Sequence, residues 1–187
     1  MIEKQNIRQI LAILVTDIAD WTETFNADES KGMQYVKMQR DIIPPIINRM
    51  NGHLFKEMGD GTFSKFKSAI EAVQCAITIK EEAAKKDLPI RIAVHLGDVM
   101  DDGVDVIGMG VNVASRINSL GSTGTIVVSE DVWKQVRSQS DMDGVSIGKR
   151  DIKGYHQSIE IFELTYNPDG SITQKVKVTE TVTINDE

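Results

Sequence analysis

The order of apolar patterns along these 187 residues predicts an α+β fold with an antiparallel sheet. Three observations carry this. The run from Ile10 to Ile18 is short and almost continuously apolar, which suits a central strand buried on both faces. Two stretches with apolar residues at helical spacing, one after Trp21 and one after Ser68, separate it from later strand-like runs. The resulting order of strand, helix, strand, strand, helix, strand is the split βαβ plan of a ferredoxin-like βαββαβ core, followed here by additional C-terminal helices and strands.

Each element has its own signal. After the polar segment Asn26-Ala27-Asp28-Glu29-Ser30, apolar residues at Met33, Val36, Ile43, Ile46, Ile47 and Met50 mark one face of a helix, with a kink or restart expected at Pro44-Pro45. Asn51-Gly52 ends it. His53-Leu54-Phe55-Lys56 and Thr62-Phe63-Ser64-Lys65-Phe66 then flank Gly59-Asp60-Gly61 as a hairpin. Ser68-Ala69-Ile70-Glu71 reads as a capping box that opens a helix burying Ile70, Val73 and Ile77. Pro89 precedes a strand from Ile90 to Leu96. Beyond it the patterns predict a helix from Val111 to Leu120 closed by Gly121, a strand from Thr125 to Val128 and a helix from Ser129 to Gln139 capped by Ser129. Two final strands are expected at Arg150 to Ile152 and Ile159 to Thr165.

Composition narrows the function classes. A formal charge of −7 argues against general nucleic-acid binding, which needs a basic face to displace counterions. The single cysteine, Cys75, rules out an internal disulfide and reads as a small buried hydrophobe on a helix. The longest apolar run is far below the roughly 20 residues that cross a bilayer, so the chain is read as soluble and cytoplasmic. His53, His95 and His156 have no ligand-like spacing.

The chemistry concentrates on two carboxylates. In the βαββαβ plan the end of the first strand lies beside the hairpin turn, which makes Asp17 and Asp60 neighbours. Two aspartates at strand ends suit a hard cation shared with phosphates, although Gly-Asp-Gly alone is most often a plain turn. A second constellation adds Asn112 and Arg116, four residues apart and so on one helix face. A guanidinium there can meet charge that builds on a phosphate; alone, it is an ordinary surface arginine.

Taken together, Val15-Thr16-Asp17-Ile18-Ala19-Asp20-Trp21-Thr22, Lys56 with Gly59-Asp60, Asp105-Val106-Ile107-Gly108 and Val111-Asn112-Val113-Ala114-Ser115-Arg116 resemble, in order and spacing, the catalytic signatures of class III adenylyl and guanylyl cyclases. The resemblance implies a catalytic domain over residues 11–165, with residues 1–10 as a lead-in and 166–187 as a loosely attached polar tail. It implies that Asp17 and Asp60 bind two Mg²⁺ or Mn²⁺ ions per site, with Ile18 adding a backbone carbonyl. Lys56 and Asp105 match the residues that read adenine, which favours ATP and cyclic AMP as substrate and product. Asn112 matches the residue that orients the ribose, and Arg116 the one that stabilises transition-state charge.

By the same resemblance the site forms between two chains of a homodimer, the aspartates from one and Lys56, Asp105, Asn112 and Arg116 from the other. A guanylyl cyclase and a non-catalytic nucleotide-binding module of the same fold are the alternatives. Lys56 with Asp105 speaks against the first, and intact Asp17, Asp60 and Arg116 against the second. The chain is expected to be either free-standing or the output domain of a longer protein with an upstream sensor.

Overall fold

The computed structural model describes residues 7–139 and 142–166. At its centre is strand β1, Ile7–Ile18, in which residues 11–16 are all buried. Helices α1 (Trp21–Ala27) and α2 (Glu29–Arg49) lead to the hairpin of β2 (His53–Met58) and β3 (Gly61–Phe66). Helix α3 (Ala69–Ala84) and β4 (Ile90–Asp101) complete the predicted βαββαβ core. Its strands lie in the order β2-β3-β1-β4, the ferredoxin-like arrangement, and all pair antiparallel. A short β5 (Val106–Ile107) folds back on the end of β4, and α4 (Met109–Asn118) follows. Then come β6 (Ile126–Ser129), α5 (Glu130–Val136), β7 (Met142–Arg150) and β8 (Ile159–Tyr166), which extend the sheet as β4-β6-β8-β7, with β6 parallel to β4.

Alternation along the strands divides the core. Leu14, Ile18, Ile92, Val94 and Val128 point to one face, where Ile43 and Ile47 of α2, Val73 and Ile79 of α3 and Val132 of α5 pack on them. On the other face α4 lies alone, with Val113 and Ile117 against Ala93 and Val127, and Ala114 against the cluster of Leu11, Ile13, Val15 and Val99. This helix sits unusually close to the sheet. A Cβ added at Gly97 would come within 2.6 Å of the Gly110 Cα, so the two glycines let backbone meet backbone. The rest of this second face, towards Phe55 and Phe63, is only partly covered.

Several local expectations are corrected. Helix α2 runs unbroken through Pro44 and Pro45, without a restart. The prolines forfeit two backbone hydrogen bonds, but the residues whose carbonyls lose them, Arg40 and Asp41, are exposed to water, while Ile42, Ile43, Ile46 and Ile47 stay buried. Met33 is 54% exposed and does not join the buried face. The capping box is half formed: Ser68 Oγ accepts from the Glu71 amide at 3.4 Å, while the Glu71 carboxylate accepts from Asn51 Nδ2 at 3.2 Å. Ser129 opens α5 without a side-chain cap because its hydroxyl is committed to His95 Nδ1, 2.9 Å away. Of the expected strand at Arg150 to Ile152 only Arg150 is in a strand, as the last residue of the longer β7, whose alternation is blurred by Gly144 and Gly148. Tyr166 closes β8, and the remainder of the expected tail lies outside the described residues.

Candidate active site

The register of β1 against β3 sets Asp17 opposite Gly61, so the adjoining turn brings Asp60 beside it as expected. Gly59 takes a positive φ of 60°, which a side chain would strain. The turn is fixed from behind. Buried Gln39 of α2 donates its Nε2 to the Asp60 carbonyl at 2.7 Å, and the buried hydroxyls of Thr16 and Thr62 lie 2.7 Å apart. Burial above all, and the charge of Asp17 as well, push the Asp60 carboxyl above its ordinary range, against a backbone hydrogen bond and Arg91. On the other flank, register sets Arg91 of β4 opposite Asp17. Its Nε and Nη2 donate to the two carboxylate oxygens at 2.9 Å each.

An open cleft of about 190 Å³ runs alongside, lined by Ile18, Asp20, Trp21, Thr22, Glu23, Asp60 and Arg91. Ile18 borders this cleft while being itself buried. No group of three or more metal-ligating side chains occurs among the described residues. Two adjacent carboxylates at a polar cleft, with like charges crowding each other, nevertheless fit an ion such as Mg²⁺, which takes one or two protein carboxylates and fills its other positions with water and phosphate oxygens.

The remaining sequence-predicted residues lie elsewhere. Asp105 stands exposed in the turn between β4 and β5, rooted at Asp101, which pairs with Ile7 at the opposite end of β1 from Asp17. Ten positions of β1 separate those two ends in the register. Lys56 is exposed on the edge strand β2, opposite Phe63 of β3, which in turn pairs with Val15, two residues before Asp17. Asn112 is exposed on α4, and Arg116, one turn on, is half-buried with its guanidinium beside Gly154. None of these four lines the cleft at Asp60.

Sequence reasoning missed Arg91 and Gln39. Both owe their roles to strand register and helix docking, which leave no local signal beyond a polar residue in an apolar setting. Of the histidines, His53 and His156 are exposed, while His95 is buried and its pKa is pushed down to about 4 by desolvation. Burial pushes the Cys75 thiol up to about 12, in keeping with an inert core residue.

The mixed α+β domain is that of a nucleotide cyclase: the chain belongs to the adenylate and guanylate cyclase catalytic domain family, whose pattern matches residues 2–166. Domains of this class bind nucleotide and depend on metal. The chain is 34% identical over 176 residues to a Rhizobium meliloti (strain 1021) protein named "Putative adenylate cyclase 3", covering 88% of this chain and 30% of that protein's length. Among solved structures it is similar to an adenylate/guanylate cyclase/hydrolase from Silicibacter pomeroyi, with TM-score 0.80 and 24% identity, covering 87% of this chain and 100% of the other. The adenylyl cyclase CyaB from P. aeruginosa gives TM-score 0.77 at 19% identity, over 87% of this chain and 97% of the other. The guanylyl cyclase Cya2 gives 0.73 at 19%, over 85% and 93%. At these identities the structural likeness establishes the fold.

Proposed function

We propose that this chain is an adenylyl cyclase domain, residues 11–165, that converts ATP to 3′,5′-cyclic AMP and pyrophosphate at sites shared between two copies of itself. One observation carries the reading. Asp17 and Asp60 meet at one end of β1 while Asp105 hangs from the other, ten residues away along the strand, and takes no part in the cleft at Asp60. A second copy related by a twofold axis supplies the missing half to each site.

In this reading Asp17 and Asp60 hold two Mg²⁺ or Mn²⁺ ions, with the Ile18 carbonyl as an added ligand. The bound metal supplies Lewis-acid polarisation of the 3′-hydroxyl and charge neutralisation of the pyrophosphate. From the partner, Asn112 orients the ribose, and the permanent charge of Arg116 meets the negative charge that grows on the phosphates. Lys56 donates to the adenine ring nitrogen and Asp105 accepts from the exocyclic amine. Guanine presents a ring N–H and a carbonyl at those places, so a Lys donor and an Asp acceptor each face a group of the wrong polarity. That polarity favours ATP over GTP, the substrate of the guanylyl cyclase alternative.

Purified protein assayed with ATP and with GTP, each with Mg²⁺ and with Mn²⁺, tests the proposal. Cyclic AMP from ATP as the dominant product is expected. Dominant cyclic GMP overturns the base assignment, and no turnover of either nucleotide overturns the enzymatic reading.

A further inference from the structure

Asp101, the last residue of β4, gathers three parts of the fold onto one carboxylate. Lys65 of β3 donates its Nζ to both oxygens at 2.6 Å, Gln9 of β1 donates its Nε2 at 3.1 Å, and the Gly103 amide donates at 2.8 Å. The pair is well enclosed: the Lys65 and Asp101 side chains are 14% and 11% exposed. From that root the chain passes directly into the turn that carries Asp105. Asp102 Oδ1 accepts from the amides of Val104 and Asp105 at 2.8 Å each, and the Asp102 amide donates to the Asp105 carbonyl at 3.3 Å. Asp105 in turn accepts from the Val106 amide at 2.8 Å, and Val106 pairs back with Asp101 in the ladder of β4 and β5. The Asp105 backbone is therefore held at its N–H and its carbonyl by Asp102, while one oxygen of its own carboxylate accepts from the next N–H. The turn is tied to Asp101 through the Gly103 amide and the pairing with Val106.

Stability is a poor reason for such a pair. Burying a lysine and an aspartate costs solvation that their attraction barely repays, and apolar replacements of similar size are often neutral or better. What an enclosed pair supplies is a fixed place: a Lys held by two oxygens defines where the end of β4, and hence the start of the turn, sits relative to β1 and β3.

We propose that Lys65 and Asp101 are positioning residues for base selectivity, their buried ion pair fixing the turn that presents the exposed Asp105 carboxylate to the nucleotide base. The inference rests on the assignment of Asp105 as a base-reading residue. The role is a mechanical one, in which the two residues touch no substrate and act through Asp105 alone.

A double-mutant cycle on the full chain tests this. In Lys65→Met/Asp101→Asn the unpaired charge is avoided and Asn can still accept from the Gly103 amide, so a folded protein with a thermal midpoint close to wild type is expected. Its ratio of kcat/KM for ATP over GTP should fall about tenfold, through a raised KM for ATP with kcat little changed, because the Asp105 acceptor is no longer held in place. Asp105→Ala alone should lower the same ratio. Adding Lys65→Met/Asp101→Asn to Asp105→Ala should lower it no further, since the first pair acts only through the third residue. An unchanged ratio in the Lys65→Met/Asp101→Asn protein, or a further tenfold loss on top of Asp105→Ala, overturns the positioning role. If Asp105→Ala itself leaves the ratio unchanged, the base-reading assignment fails, and the positioning role with it. The two failures are thus told apart by the Asp105→Ala protein alone.

Discussion

Arg91 grips both carboxylate oxygens of Asp17, one with Nε and one with Nη2, each at 2.9 Å. The fork holds the carboxylate plane in a fixed orientation, and its permanent charge offsets the crowding of Asp17 against Asp60. With side chains 26% and 23% exposed, the pair is sheltered enough for its loss to register. Arg91→Met should lower stability by about 1 to 3 kcal/mol, the usual cost of stranding a buried charged acceptor. Adding Asp17→Asn should recover part of that loss, because the stranded charge disappears. Urea titrations of the three proteins at pH 7 measure both effects. Equal midpoints in wild type and Arg91→Met would show that the contact contributes nothing.

Asp17→Asn and Asp60→Asn should each remove nearly all cyclase activity while leaving the circular dichroism spectrum unchanged, since each takes a charged metal ligand away with almost no change in volume. Near-normal turnover by either folded variant would contradict the metal assignment.

His95 gives the fold a predictable acid sensitivity. Desolvation pushes its pKa down from 6.5 to about 4, so between those pH values the unfolded chain binds a proton that the native chain does not. Stability therefore falls as pH drops through that window, by roughly 3 kcal/mol for this residue. His95→Gln should keep a polar group near Ser129 but lose this dependence, so its stability should decline less than wild type between pH 6.5 and 4. Parallel stability curves for the two proteins would remove His95 as the cause.

Much of this arrangement was legible in the sequence, and the rest was hidden for physical reasons. The apolar run of β1, the turn at Gly59 and the split βαβ order sufficed to bring Asp17 and Asp60 together, because a period-two pattern and a tight turn are local properties. Arg91 was invisible as a partner because an antiparallel register between β1 and β4, residues 74 apart, is settled by packing of the whole sheet. Gln39 is a polar residue of an amphipathic helix with no local motif around it, yet it is 1% exposed and holds the Asp60 turn. Ser129 carried a cap signal that a distant histidine claimed. Local rules thus sufficed to bring the two carboxylates together, while the residues that hold them in place needed the tertiary structure.

The proposed shared site makes its own demand on mixtures of damaged chains. An Asp17→Asn chain lacks a metal ligand but keeps Arg116, and an Arg116→Ala chain keeps both carboxylates. In a heterodimer of the two, one site combines the intact carboxylates of one chain with the intact arginine of the other, and the second site carries both defects. If chains exchange freely, heterodimers make up about half of all dimers and each has one working site of two, so activity should recover to roughly a quarter of wild type. Each variant alone should be nearly inactive. Subunit exchange is followed independently with two fluorescent labels, and activity is read from cyclic nucleotide formed after mixing. Confirmed exchange with no gain in activity would mean that Asp17 and Arg116 serve the same site within one chain.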